Sequence, residues 1–470
     1  MNEQRRDAYI KLIQELLNCA SGKEREILAA NRDLIDAEFL LVVEVVAGVM
    51  WEKGNQDTAN WLRSLGSQLA EYLNKSSSPA QLEDLSKEEF QAYFQFLMLV
   101  LQTIWKSDAD TKIVYPLLAA NTDKLDGIFT EMLRLWAINT FEKAGADATK
   151  SVAANIINFN NVYFAIFNFG ALIQEFPLGD KSSNMEIAIA SCKTALKVLT
   201  QEALPGIWAT TQYNLGLAYS NRIKGDKAEN IELAIQSYEA ALQVRTQEAF
   251  PQDWAKTQHN LATAYIDRIK DDKAENIELA IQSCKQALQV RTKEAFPGQW
   301  AQTQNNLGFA YSDRIKGDKA ENIELAIQSY KQSLQIITQE ALPQKWTQTQ
   351  NNLANAYINR IKGDKAENIE LAIQSCNAAL QVGTQQTFPQ DWATTQINLG
   401  LAYSDRIKGD KAENIELAIQ CYEAALQVYT QQAFPKKWAT TQNNLAITYR
   451  SRIKSDKAEN IELAIQSYKQ

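Results

Sequence analysis

From Pro205 onward, apolar residues return at helical spacing in two stretches per 46 residues, separated by a short polar break. In PGIWATTQYNLGLAYSNRIKGDKAENIELAIQSYEAALQVRTQEAF (205–250), the first stretch predicts a helix A from about Trp208 to Lys224. Gly225-Asp226 turns the chain, and Asn230 is placed to cap a helix B carrying Ile231, Ala234, Ile235, Tyr238, Ala241 and Leu242. The next proline closes the unit, because the residue before a proline leaves helical geometry and the proline starts a new helix. Trp208, Trp254, Trp300, Trp346, Trp392 and Trp438 keep the 46-residue step, as do the six prolines from Pro205 to Pro435. Five copies are complete, and a sixth reaches Gln470 within its helix B. A fixed period of this length predicts stacked units that each touch only their neighbours.

The residues Leu215-Gly216, Ala218-Tyr219, Ala234, Tyr238 and Ala241 resemble the tetratricopeptide (TPR) signature. The usual repeat has 34 residues, and two six-residue extensions, after Tyr219 and after Ala241, account for the difference. The fold class expected is therefore all-α: a TPR-like solenoid of helix pairs behind an α-helical N-terminal region.

Shifting back 46 residues places Phe169-Gly170 under Leu215-Gly216 and Ala188 under Ala234, so 159–204 is a degenerate leading unit. Val162 replaces its tryptophan and Pro177 its late isoleucine. Before it, helices are expected near Glu3–Asn18, Lys23–Asn31, Ala37–Lys53 and Asp57–Asn74, forming a bundle over 1–75. Ser76-Ser77-Ser78-Pro79 reads as a linker to a second helical segment over 80–158, with helices near Lys87–Lys106, Thr111–Ala119, Asp123–Lys143 and from Asp147. Its aromatics, among them Phe90, Phe96, Trp105 and Phe129, read as a core stripe. The array proper then occupies 205–470.

The stretches ILAANRDLIDAEFL (27–40), YPLLAAN (115–121) and FPLGDKSSNMEIAI (176–189) resemble the leading region of cyanobacterial TPR proteins. In that family the array commonly runs into a C-terminal CHAT domain, a caspase-like protease module using His and Cys. The sequence contains no such domain, so the resemblance implies a fragment or a truncated gene.

Charge narrows the partners. Residues 1–158 carry 16 Lys+Arg against 23 Asp+Glu, while the remainder is nearly neutral, and neither balance is the footprint of a nucleic-acid binder. The recurrent RIKGDKAEN reads as a solvated edge. The N-terminus is polar and charged, and the apolar runs 39–50 and 156–173 are interrupted by Glu44 and by asparagines. A cytoplasmic protein without membrane contact is expected. Five cysteines without paired spacing argue against disulfides and zinc; Cys192, Cys284 and Cys376 mark one repeat position and read as buried, inert thiols. His259 is the only histidine, on a different face from Cys284, so no catalytic dyad, cofactor or metal is expected.

Comparing the six copies separates scaffold from surface. Positions that vary on helix A fall on one arc, facing away from the apolar side. The arc contains Tyr213, Leu217, His259, Thr263, Ile266, Asn305, Phe309, Asn351, Asn355, Ile358, Ile397, Leu401 and Asn443. In TPR proteins the corresponding stripe lines a concave, peptide-holding groove. Large apolar members would anchor a segment of a partner, or of the protein's own missing C-terminal region, and the amides would orient its backbone. Only Lys256 and Arg450 are basic on the arc, against Asp267, Asp313 and Asp405, which argues against a clamp for a terminal carboxylate. The reading is a non-catalytic interaction scaffold, the sensing part of a CHAT-protease-type system. The alternative is a structural protein that self-associates through its open C-terminal edge.

Overall fold

The computed structural model describes residues 3–19, 23–24, 27–28, 31, 34, 37–52, 55–76, 82, 85–147 and 152–469. They are helical with no strand among them, and the chain divides into two compact units, Met1–Thr149 and Lys150–Gln470. Expectations for 77–80, most of the linker, and for much of 23–31 lie outside the described residues.

In the first unit, helices Glu3–Asn18, Ala37–Glu52 and Gln56–Ser76 close on Tyr9, Leu12, Ile13, Phe39, Val43 and Leu62. Tyr9 and Phe39 meet with ring centroids 5.7 Å apart. Helices Lys87–Lys106, Thr111–Ala119 and Gly127–Asp147 follow, the first begun by a capping box between Ser86 and Glu89. The aromatic stripe is only partly core: Phe96 and Phe129 are buried, whereas Phe90 and Trp105 are exposed.

The second unit is an α-solenoid of seven helix pairs, from Val152–Glu175 and Lys181–Ala195 to Pro435–Arg450 and Lys457–Lys469. We number the pairs 0 to 6, so that unit 1 begins at Pro205. Helix B of each unit packs on its own helix A and on helix A of the next, and consecutive A helices also touch. Each proline stands at the start of helix A, where the missing N–H would have no intrahelical partner.

Within the repeat, the boundaries differ from expectation at two points, and both have a cause. Helix A of unit 1 is Pro205–Ser220 and stops short of Lys224, leaving Arg222 in the loop. Helix B is capped by Asp226, whose carboxylate accepts from the Glu229 amide at 2.8 Å, and not by Asn230. Asn230 is instead buried, donating to the Lys224 carbonyl at 2.9 Å and accepting from Arg222 at 3.2 Å. The loop needs one left-handed residue, supplied by Gly225 at φ +79° and by glycine in three later units; Asp271 and Ser455 take the same conformation in the other two.

Volume balance fixes the inner core. A Cβ on Gly216, Gly308 or Gly400 would lie 2.7–2.8 Å from Cε1 of Tyr238, Tyr330 or Tyr422. Where helix A carries Ala262 or Ala354, the facing position is Cys284 or Cys376, both fully buried. In units 1 to 5 small opposes large, as dense packing requires, whereas the outer units depart from the rule: Gly170 meets Cys192, and Ala446 goes with Tyr468. Burial pushes the Cys284 thiol up to about 12, so it stays protonated and unreactive at neutral pH.

Candidate functional site

The A helices of units 2 to 5 are tied into one face by an asparagine that reaches back to the preceding helix. Asn260 donates to the Tyr213 hydroxyl at 2.8 Å and Asn306 to Thr263 Oγ1 at 2.9 Å. Asn352 donates to Asn305 Oδ1 at 3.3 Å and Asn398 to the Asn351 carbonyl at 3.2 Å. The donor position is constant and the receiver is whatever the variable arc offers there.

The arc residues sit at three depths. Thr263, Phe309, Asn355 and Asn443 are exposed, with Phe309 at 39%. Leu217, His259, Ile266, Asn305, Ile358, Ile397 and Leu401 are half-buried. Tyr213 and Asn351 depart from the expected outward orientation and are buried. Asn351 turns its amide to the Asp391 carbonyl at 3.3 Å. Tyr213 lies 5.8 Å from Tyr238, ring to ring, with the Arg245 guanidinium 4.7 Å and the Lys256 ammonium 4.9 Å from its centroid. Burial pushes its hydroxyl up to about 12, so it remains a neutral acceptor for Asn260. Two of the orienting amides are thus already engaged within the protein, Asn305 through its oxygen and Asn351 through its nitrogen.

Between units 1 and 2 the face opens into a cavity of about 280 Å³ lined by Leu217, Ser220, Tyr238, Asn260, Thr263 and Asp267, among others. Its walls raise the Asp267 carboxyl above the usual carboxylate value, against the opposing pull of Lys227.

Two groups of residues at the face and its border escaped the sequence reading. The first is cationic and comes from the ends of the B helices. Arg245 is buried and donates to Thr257 at 3.1 Å and to Thr210 at 3.0 Å, joining helix A of unit 1 to that of unit 2. Arg291 holds the same position one unit on. The column Leu199, Arg245, Arg291, Ile337, Gly383, Tyr429 changes character from copy to copy, and that mixture was the available signal.

The second is the RIKGDKAEN loop, which is more than a solvated edge. Its arginine makes a bidentate pair with a glutamate of the preceding helix B: Arg222 with Glu186, Arg268 with Glu232, Arg314 with Glu278, Arg360 with Glu324, Arg406 with Glu370 and Arg452 with Glu416. In the Arg314 pair, Nε donates to Oε1 at 2.7 Å and Nη2 to Oε2 at 2.9 Å. The constant 36-residue separation, one unit minus ten, would have revealed it.

No family model matches the chain, and no curated protein matches it. Among solved structures, the TPR domain of P58(IPK) is similar over 99% of each chain, at 15% identity and a TM-score of 0.27. At that score the helix-pair architecture rests on the contacts described above. Among the described residues no helix is long and apolar enough to cross a membrane, and no group of three or more His, Cys, Asp or Glu could hold a metal.

Proposed function

We propose that this protein is an interaction scaffold whose A-helix face holds an extended peptide segment of a protein partner. What carries the reading is that variation between near-identical units gathers on one face while that face keeps large apolar side chains. Phe309 is exposed, and Leu217, Ile397 and Leu401 are half-exposed beside amides. Solvent alone would favour polar residues at such places, and a row of partly exposed anchors is what a bound segment would cover. Tyr213 and Asn351, being buried, are not assigned to ligand contact. The front-end motifs at 27–40, 115–121 and 176–189 support the finer reading that the array serves a CHAT-type signalling system, with the caught segment coming from a partner or from that system's own chain.

The competing reading, copies stacking through the last helix, has Ile461, Ile465 and Tyr468 in its favour at 42, 37 and 51% exposure. Continuing the stack in register would require an arginine for Glu462, and the leading unit offers Phe176 at that position. The scaffold reading is therefore preferred. Its test is a quantitative pull-down from cell extract with wild type and the Phe309→Ala/Leu401→Ala variant. Losing a true anchor should weaken a partner by ~2 kcal/mol or more, roughly 30-fold. A double variant that retains every partner at wild-type strength would sink the assignment.

A further inference from the structure

The junctions of units 1–2 and 2–3 place the same buried cation in different company. At the first, Arg245 has the Asp253 carboxylate 4.0 Å away and two threonine hydroxyls as acceptors. At the second, Arg291 is equally buried, at 5% exposure, and its one side-chain hydrogen bond goes from Nη1 to Thr303 Oγ1 at 3.1 Å. Its Nε has no acceptor, and no carboxylate among the described residues pairs with it. The repeat explains the deficit. Gln299 stands where Asp253 stood, and Lys256 replaces Thr210 and turns back over the Tyr213 ring. His259 shares the acceptor, its Nδ1 lying 3.1 Å from Thr303 Oγ1. That hydroxyl already donates to the Gln299 carbonyl at 2.8 Å, so the imidazole donates through Nδ1. Burial, then Arg291 and Lys345, push its pKa down to about 3, which keeps the ring neutral. Lys345, exposed on unit 4, adds a second positive charge near the ring.

A buried guanidinium with an unused donor and no counter-ion is costly to the folded chain unless an anion arrives from outside. We propose that the junction of units 2 and 3 is an anion subsite of the A-helix face, in which Arg291 takes the carboxylate of a glutamate or aspartate carried by the bound segment. This inference rests on the groove reading for the source of the carboxylate but not for the existence of the subsite. It also assigns the ligand a feature absent from the arc residues alone, an acidic side chain spaced to reach units 2 and 3.

The sole histidine makes the test direct. Acetate, which needs no groove, is titrated while the His259 ring resonances are followed by NMR. A carboxylate at Arg291 should shift them and raise the His259 pKa by about one unit or more, since it cancels the cation that opposes protonation. A blocked Glu-containing peptide should do the same at concentrations at least tenfold lower, and its Gln twin should not. Gln299→Asp supplies the carboxylate internally, as Asp253 does for Arg245, and should abolish the acetate response while keeping the fold; Arg291→Gln should also abolish it. An unchanged acetate response in Gln299→Asp, or none in the wild type, overturns the subsite. If acetate behaves as expected but the Glu peptide is no better than acetate, the subsite stands and the groove reading fails.

Discussion

The loop edge and the A-helix face both join one unit to the next, and they do so by opposite strategies. At the edge the same arginine–glutamate pair recurs six times, with shortest contacts of 2.6–2.8 Å. On the A face a constant asparagine reaches back to a tyrosine hydroxyl, a threonine hydroxyl, an amide oxygen and a main-chain carbonyl in turn. The edge fixes the stacking geometry with parts that need not change. The face can then vary its receivers because its donor tolerates any of them. In a repeat array, whose stability is close to a sum of unit and interface contributions, this separates the residues that hold the stack from those that are free to vary.

The core beneath both sets the scale of expected effects. Gly308→Ala drives a Cβ to within 2.7 Å of the Tyr330 ring, and overpacking of this kind costs about 1–3 kcal/mol. Adding Tyr330→Cys should recover most of the loss, because the pair then matches Ala354 with Cys376 one unit on. Urea denaturation of the two variants measures it. If the second substitution only adds to the damage, the glycine–tyrosine alternation is not a volume balance.

The edge and the face should next separate by pH. The Arg314 and Glu278 side chains are each 27% exposed, so Arg314→Met should cost about 1–2 kcal/mol, between the values for surface pairs and for buried charged hydrogen bonds. Hydrogen bonding to the arginines lowers the carboxyl pKa of Glu232, Glu278, Glu324, Glu370 and Glu416. Their contribution is therefore full above the ordinary value of 4.5 and is lost as pH falls through the lowered ones. His259 acts in a higher window. Burial, then Arg291 and Lys345, push it from 6.5 down to about 3, so the unfolded chain binds a proton that the folded chain refuses. Stability should fall from about pH 6.5 downward with a slope of at most ~1.4 kcal/mol per pH unit. His259→Gln should flatten that upper window and leave the lower one, and Glu278→Gln should do the reverse. A single common acid transition, unaltered in shape by either variant, would break the separation of edge from face.

The sequence made the repeat legible because it depends on spacing alone: the tryptophans and the prolines can be read by adding 46. It also identified the A-face arc, but not the depth of each residue on it. Depth depends on what the next unit brings, and Tyr213 is buried because Arg245 and Lys256 close over its ring. Arg222 and Glu186 escaped because each looks like an ordinary solvated charge on its own helix or loop. Their meeting is a property of the stack. Asn230 misled for a related reason, since a capping residue and a buried loop-closing amide look alike in sequence, and Asp226 was in the better position to cap.

The smallest effects are expected at the loop side chains that are constant yet touch little. Every loop exposes an isoleucine, with Ile223, Ile269, Ile315, Ile361, Ile407 and Ile453 all between 57 and 64% exposed. Lys224 also lies on this edge and is exposed. Packing does not account for their recurrence, because so exposed a side chain removes little apolar area from water. Ile315→Ser and Lys224→Glu should therefore change stability by under ~0.5 kcal/mol, the range of surface substitutions, in contrast to Arg314→Met at the residue next to the first. If the A face is where partners bind, both variants should also keep every partner that Phe309→Ala/Leu401→Ala loses. The isoleucine row offers a rival to the groove as a binding surface: a hydrophobic ladder repeated along the array. Loss of partners from Ile315→Ser with stability intact would transfer recognition to the edge, and the staples would then be positioning a binding surface as well as holding the stack.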